Sequence, residues 1–516
     1  MKLNNTHRKS SRVFKKSLIT LSFQPLKVKK RLALSPPWRR GVLGVIAALL
    51  ALMPAGLPAG AVSESNVTSA RGATQSERAG QAPPSLQRAT AAVQPPTIAP
   101  ECPATIRCVI APAAYQANGG NPVDYGNYDV ANRPHDMNID SIIIHDGEGT
   151  CEDIIDAFRN PTHYASSQYV VCKDGTVYQM VRNQDLPWHA GNWWYNMHSI
   201  GIEHEGHAAL GTTEYTPAMY LASAQLVKYL TERFSIPRDR DHIIGHDNVP
   251  GPRASLLPSM HTDPGPYWNW GLYMNFITSK PTMPSWNVTG KQVMIAPLWS
   301  LHKPPVTGCS AGENGCAPTQ PQPASFVYLR TEPHLNAPLF TDPVLGQGTT
   351  DIKNNAARVF WGQKFMVADR RISDGGVWYK IWVNGSTGWF HSPWHAPTAA
   401  QPEPTEYVTP KASLSAPVYG RPSPELATYP LELLAIPPSS FWIPTLAPAD
   451  PLPYRMQPGQ KYRLISKQVV NDHFYAWAID ASYPYDHTLF KGKSVYYQVE
   501  FGGRVGFVRA SDVVIR

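Results

Sequence analysis

Three polar residues stand where the surrounding sequence gives their side chains a direction. His145 follows the apolar run Ile142-Ile143-Ile144, His246 closes the string His242-Ile-Ile-Gly-His246, and Asp263 lies in His261-Thr-Asp-Pro-Gly265. Two imidazoles and a carboxylate form a donor set that zinc accepts, and a catalytic zinc site needs three protein ligands with a fourth position open to water. Ligands at the C-terminal edges of strands, joined by one from a loop, can converge at one end of a sheet. Each residue also has an ordinary reading. A strand-end histidine can simply hydrogen-bond at the surface, and Asp263 before Pro264 can serve as a helix N-cap.

The segment around these residues must supply that sheet. Ser141-Ile-Ile-Ile-His145 and Ser199-Ile-Gly-Ile-Glu203 suit buried strands, and residues 168–172 and 176–180 flank Lys173-Asp174-Gly175, a hairpin signal. A helix suits 152–158. Thr216 followed by Pro217 is an N-cap with proline at the first helical position, and Met219, Ala222, Leu226 and Leu230 keep helical spacing through to Phe234. A last helix fits 267–277. The expected fold class is α/β: a mixed β-sheet flanked by helices, followed by two small all-β barrels.

The barrels come from an internal repeat. Gly362-Gln-Lys-Phe365 recurs as Gly459-Gln-Lys-Tyr462, and the block from Trp378 to Trp389 recurs in register from Tyr496 to Phe507. The two matches are offset by 97 and 118 positions, so the second copy carries 21 extra residues between them. Two copies are too few for a solenoid. A chain of 516 residues with 51 prolines suits several domains and extended connectors. The expected division is a leader at 1–61, a linker at 62–101, a globular domain at 102–280, a Pro-rich linker at 281–324, a β module at 325–396, a linker at 397–410 and a second β module at 411–516.

The formal charge of +8 suggests a nucleic-acid partner, but its placement argues against one. Residues 1–61 hold 12 Lys/Arg and no acidic residue; without them 34 basic residues face 38 acidic ones, a net of −4. The basic stretch ends at Arg39-Arg40, followed by the apolar run 41–53 and Ala59-Gly60-Ala61, a small-x-small cleavage site. This reads as an export signal, too short at about 13 apolar residues to span a bilayer, with a retained anchor as the alternative and the export route open. All six cysteines follow the cleavage site, and proximity pairs Cys102 with Cys108, Cys151 with Cys172 and Cys309 with Cys316.

Six strings run in order through residues 135–280: Ile-Ile-Ile-His145-Asp, Ser-Gln-Tyr169-Val-Val with Lys-Asp174-Gly175, Trp188-His189-Ala190-Gly191, Ser199-Ile-Gly-Ile-Glu203, Ile-Ile-Gly-His246 and His261-Thr-Asp263-Pro-Gly265. Together they resemble the type 2 N-acetylmuramoyl-L-alanine amidases, a family that includes phage amidase lysozymes and animal peptidoglycan-recognition proteins. The resemblance implies a zinc ion held by His145, His246 and Asp263. It also implies Glu203 as the acidic residue that activates water, and His261 as the cation that stabilises the oxyanion. The implied reaction is hydrolysis of the amide between N-acetylmuramic acid and L-alanine in peptidoglycan. The alternatives are a peptidoglycan binder without catalysis and a zinc peptidase cutting a stem-peptide bond. The repeated glycine-aromatic strands are similar to bacterial SH3-like modules, which would tether the enzyme to the wall.

The implied protein is a secreted or wall-associated monomer whose partner is peptidoglycan, with no nucleic acid and no membrane span after signal cleavage. Glu205 competes with Glu203, since side chains two apart on a strand share a face. Trp188, His189, Trp193 and Trp194 form an aromatic cluster suited either to stacking on substrate or to packing. Glu148 and Asp247 suit supporting or solvent-facing positions. Some family members carry a Tyr where this chain has Ser167, so no role for that Tyr carries over.

Overall fold

The computed structural model of the protein describes residues 99–308, 321–411, 413–434 and 450–516. The leader, most of the first linker and the Cys309–Cys316 pairing lie outside them. Cys102–Cys108 and Cys151–Cys172 are disulfide-bonded. No helix among the described residues is long and apolar enough to cross a membrane.

The expected α/β layer is present. Its sheet has six strands, β1 (Cys108–Ile110), β2 (Ser141–Ile144), β3 (Tyr169–Val171), β4 (Val177–Gln179), β5 (Ser199–His204) and β6 (Ile243–Gly245), in the order β1-β4-β3-β5-β2-β6. Only the β3–β4 pair is antiparallel, across the expected Asp-Gly turn. Helix α1 (Cys151–Arg159) opens on a capping box between Thr150 and Asp153. Helix α3 (Pro217–Phe234) begins as the sequence indicates, with the Thr216 side chain accepting from the Met219 N–H. Helix α4 (Trp270–Thr278) starts three residues later than expected because Asn269 caps it. Helix α2 (Trp193–His198) occupies what reads as a loop. Five of its six residues are buried, so it has no polar face to generate a helical pattern.

Strand alternation decides which side of the sheet does what. Ile142, Ile144, Ile200, Ile202 and Ile243 join Leu226, Leu230, Trp268 and Tyr273 in one core with α3 and α4. Ile143 and Ile244 face the opposite way. His145, Glu203 and His246 share the parity of Ile143, Gly201 and Ile244, so all three emerge on the face opposite α3 and α4.

C-terminal to α4 the structure is antiparallel β. One sheet contains β7 (Gln292–Ile295), β8 (Lys364–Ser373), β9 (Gly376–Val383), β10 (Ser386–Pro393) and β11 (Ala399–Ala400), in the order β10-β9-β8-β7-β11. The other contains β12 (Tyr407–Pro410), β13 (Tyr462–Val469), β16 (Tyr496–Glu500), β17 (Val505–Arg509) and β18 (Val513–Ile515), in the order β17-β16-β13-β12-β18. A separate hairpin joins β14 (Asp472–Tyr475) to β15 (Thr488–Lys491). The repeat is structural: Trp378 lies opposite His391, and 118 positions later Tyr496 lies opposite Arg509.

The expected linkers need correcting. Gln292–Ile295, inside the supposed linker 281–324, pairs with both β8 and β11, and two strands fall within 397–410. The prolines around Val293-Met294-Ile295 mask a short apolar strand. The modules are not separated from the α/β layer either. Met294, Phe326, Phe360 and Trp361 enter the same core as Trp268 and Trp270. On the other face Tyr419, Tyr496, Val505 and Phe507 pack with Ile143, Trp194, Tyr195, Ile244 and Met260. Asp241, beside β6, accepts two hydrogen bonds from Arg463 on β13, one of them 2.8 Å long.

Phe507 is fully buried with its ring 5.1 Å from that of Trp194. Phe507→Ala should therefore cost about 3–5 kcal/mol of folding stability. Because the core is shared, tryptophan fluorescence and far-UV circular dichroism should report one coincident urea transition in that variant. An early transition confined to the C-terminal sheets would contradict the shared core.

Candidate metal centre

The sequence-predicted donors meet at one end of the sheet. His145 directly follows β2, and its N–H donates to the Ile202 carbonyl at 2.9 Å, which locks it level with Glu203 on β5. His246 directly follows β6. Asp263 arrives from a loop pinned at two points: the Asp247 N–H donates to its carbonyl at 2.7 Å, and the Asp146 N–H donates to its Oδ2 at 3.4 Å. His145 Nδ1 lies 3.2 Å from Asp263 Oδ2, and His246 Nδ1 lies 3.1 Å from Asp263 Oδ1. All three residues are buried, with 2, 2 and 7% of their surface exposed.

This arrangement fits a small divalent cation. Ligands at about 2.0–2.2 Å in a tetrahedral site stand roughly 3.3–3.5 Å from one another, close to the spacings here. Both ring nitrogens of His246 are buried without a hydrogen-bond partner among the described residues. Leaving such groups unsatisfied costs about 1–3 kcal/mol, and a cation at the centre would engage Nδ1. Burial pulls His246 down to about 4, so the ring is neutral and its lone pair free. Burial alone would raise Asp263, but the three histidines ranged against it, His246 first, hold it well below the usual carboxylate range. The site thus holds neutral imidazole and anionic carboxylate, the forms a metal binds.

Glu203 and His261 border the same centre. Glu203 Oε1 lies 4.0 Å from His145 Nδ1, and burial lifts its carboxyl to about 7. The ring of His261 stacks on that of His246 at 4.8 Å, with Nδ1 3.5 Å from Asp263 Oδ1, and its side chain is 70% exposed. The hydrogen bond to Asp263 raises its pKa, which favours the cation. Glu205 does not compete: it follows the end of β5, and its carboxylate accepts from the Lys173 N–H at 2.8 Å, beside the Cys151–Cys172 disulfide.

Sequence reasoning left His189 among the aromatic cluster, and the structure gives it a specific place. His145 Nε2 lies 3.0 Å from His189 Nδ1, and His189 Nε2 lies 3.3 Å from Ser199 Oγ, which donates to the Tyr195 carbonyl at 2.5 Å. With the lone pair of His145 Nδ1 directed at the centre, the protons order in one direction: His145 Nε2–H to His189, His189 Nε2–H to Ser199, and Ser199 O–H to the backbone. Burial, then the neighbouring His145, hold His189 well below its usual pKa, so it stays neutral as this relay requires. The relay needs space, and Gly201 supplies it, since a Cβ there would meet the His189 ring at 2.7 Å. The signal was the string Trp188-His189-Ala-Gly, whose chemistry is invisible without the fold.

The tryptophans separate. Trp188 donates to Asp129 at 2.7 Å, while Trp193 and Trp194 donate to the Phe474 and Val470 carbonyls of the second β module. Asp247 is fully buried, Glu148 is exposed, and Ser167 is buried and donates to the Tyr169 carbonyl.

The α/β layer is similar to known proteins. The family described as N-acetylmuramoyl-L-alanine amidase matches residues 135–266. N-acetylmuramoyl-L-alanine amidase A of Achromobacter lyticus is 32% identical over 174 residues, 30% of this chain and 91% of the relative. The 1,6-anhydro-N-acetylmuramyl-L-alanine amidase AmpD of Citrobacter freundii is 32% identical over 119 residues, 22% of this chain and 57% of that protein. A selenomethionine derivative of AmpD, a solved structure, is 26% identical, covers 34% of this chain and 97% of its own, and has a TM-score of 0.26. On sequence relatedness the chain belongs to the type 2 N-acetylmuramoyl-L-alanine amidase family, and the family makes it an amidase.

Removing the partner that orients a metal-binding histidine typically lowers metal affinity about 10–100-fold. His189→Ala should show a loss of that size in zinc competition against a chromophoric chelator. Affinity within twofold of the parent protein would show that His145 needs no such support.

Proposed function

We propose that the chain is a zinc-dependent hydrolase of the amide joining N-acetylmuramic acid to L-alanine in peptidoglycan. The observation that carries the reading is the buried convergence of His145, His246 and Asp263, with Glu203 and His261 at its border. Zinc held by those three residues would supply Lewis acidity toward an amide carbonyl and a water of pKa near 7.

The remaining chemistry belongs to the chain's own side chains. Glu203, within 4.0 Å of His145, takes the proton of the attacking water and returns it to the leaving L-alanine nitrogen. Its buried carboxyl, lifted to about 7, binds a proton readily enough to pass it on. His261, exposed above Asp263 and inclined toward its charged form, shares the negative charge that develops on the carbonyl oxygen. Asp263 stays ionised throughout. The two disulfides suit action in an oxidising compartment outside the cytoplasm.

Digestion of purified peptidoglycan tests the reading. The zinc-loaded protein should release new L-alanine amino termini without new reducing sugar ends, and a chelator should abolish the release. New D-amino-acid termini would instead establish a peptidase, and binding without release an inactive binder. Glu203→Gln should lower kcat about 10²–10⁴-fold while zinc affinity stays within a fewfold. Full activity in that variant would remove Glu203 as the base.

A further inference from the structure

We infer that Arg504, contributed by the second β module, is a positioning residue of the metal centre. The inference rests on the zinc-amidase reading of that centre.

Arg504 sits in the turn between β16 and β17, some 240–260 positions from the residues it reaches. One guanidinium nitrogen, Nη1, donates to the Val249 carbonyl at 2.6 Å and the His246 carbonyl at 3.4 Å. The other, Nη2, donates to the His261 carbonyl at 2.8 Å and the Met260 carbonyl at 3.3 Å. The planar fork thus ties the segment that carries His246 to the segment that carries His261 and leads into Asp263. Two of the three donors reach the centre from those segments, His246 just past the end of β6 and Asp263 from a loop with no strand of its own.

The neighbouring turn reinforces the clamp. Asn248 donates to the Gly503 carbonyl at 2.9 Å, so the 246–249 segment is also bound to the module between Arg504's two contacts on it. In the first copy of the repeat the position equivalent to Arg504 is Ser386, which has no fork to offer. The arginine is therefore a property of the copy that lies over the centre and not of the repeat itself. A lysine cannot reproduce it, because its single nitrogen cannot span the two segments in one plane.

The test compares three variants of the full chain. Arg504→Met removes the donors and keeps the stem, and Arg504→Lys keeps the charge and removes the fork. Arg463→Met cuts a different link between the same module and the α/β layer, the hydrogen bonds to Asp241, and touches neither segment. Zinc affinity is measured by chelator competition, and kcat and KM for wall digestion are measured at saturating zinc. Arg504→Met should bind zinc at least tenfold more weakly and lose at least tenfold in kcat with KM within threefold, with Arg504→Lys in between. Arg463→Met should lower the thermal midpoint and leave zinc affinity within twofold.

Unchanged zinc affinity in Arg504→Met would overturn the inference, as would equal losses in Arg504→Met and Arg463→Met, which would reduce Arg504 to module docking. Should Arg504→Met fail to fold, Arg504→Lys decides on the same readouts, and zinc affinity equal to the parent would overturn the clamp. Zinc binding by the parent chain is read separately from the bond it cuts. A wrong scissile bond would therefore sink the amidase reading while the zinc comparison still judges the clamp.

Discussion

A buried carboxylate kept ionised among histidine side chains is the constraint on which the rest of this structure depends. Burial by itself would protonate Asp263, and the neighbouring His246, His145 and His261 reverse that preference. Meeting the requirement takes fixed geometry on every side. The ends of β2 and β6 aim His145 and His246, backbone N–H groups of Asp146 and Asp247 fix Asp263, and the His189–Ser199 relay sets which nitrogen of His145 carries its proton. The same crowding explains a glycine at 201, where any side chain would displace His189.

The β modules are part of this solution, packed against the α/β layer. The 21 residues that the second repeat has in excess contribute the β14–β15 hairpin, and that hairpin grips α2. Asp472 accepts from His198 Nε2 at 2.8 Å, the Phe474 carbonyl accepts from Trp193 Nε1 at 3.0 Å, and Phe474 packs with Leu186 and Met197. The insertion is thus a docking element. Helix α2 in turn leads straight into β5, which carries Glu203, so module and centre are connected through packed elements.

Much of the site was readable because strands give side chains a direction. Ile142-Ile143-Ile144 fixes the face of His145 by alternation, and the same count places His246 after Ile244 and Glu203 after Gly201. Six ordered strings then made the family recognisable. Glu205 shows the limit of that logic, since β5 ends at His204 and alternation no longer governs the next residue. His189 and α2 escaped for a different reason. A proton relay depends on distances between residues far apart in sequence, and a helix buried on all sides has no amphipathic signature. The supposed linkers failed because proline density was read as extension, whereas Val293-Met294-Ile295 needs only a few residues between prolines to complete a sheet.

Zinc-edge X-ray absorption on the full chain loaded with one equivalent of zinc tests the central claim most directly. His145, His246 and Asp263 predict two imidazole shells with nitrogen at about 2.0–2.1 Å and oxygen ligands at about 2.0–2.2 Å, without sulfur. The imidazole count should fall to one in His246→Ala. A sulfur shell, a third imidazole, or a spectrum unchanged by that substitution would contradict it.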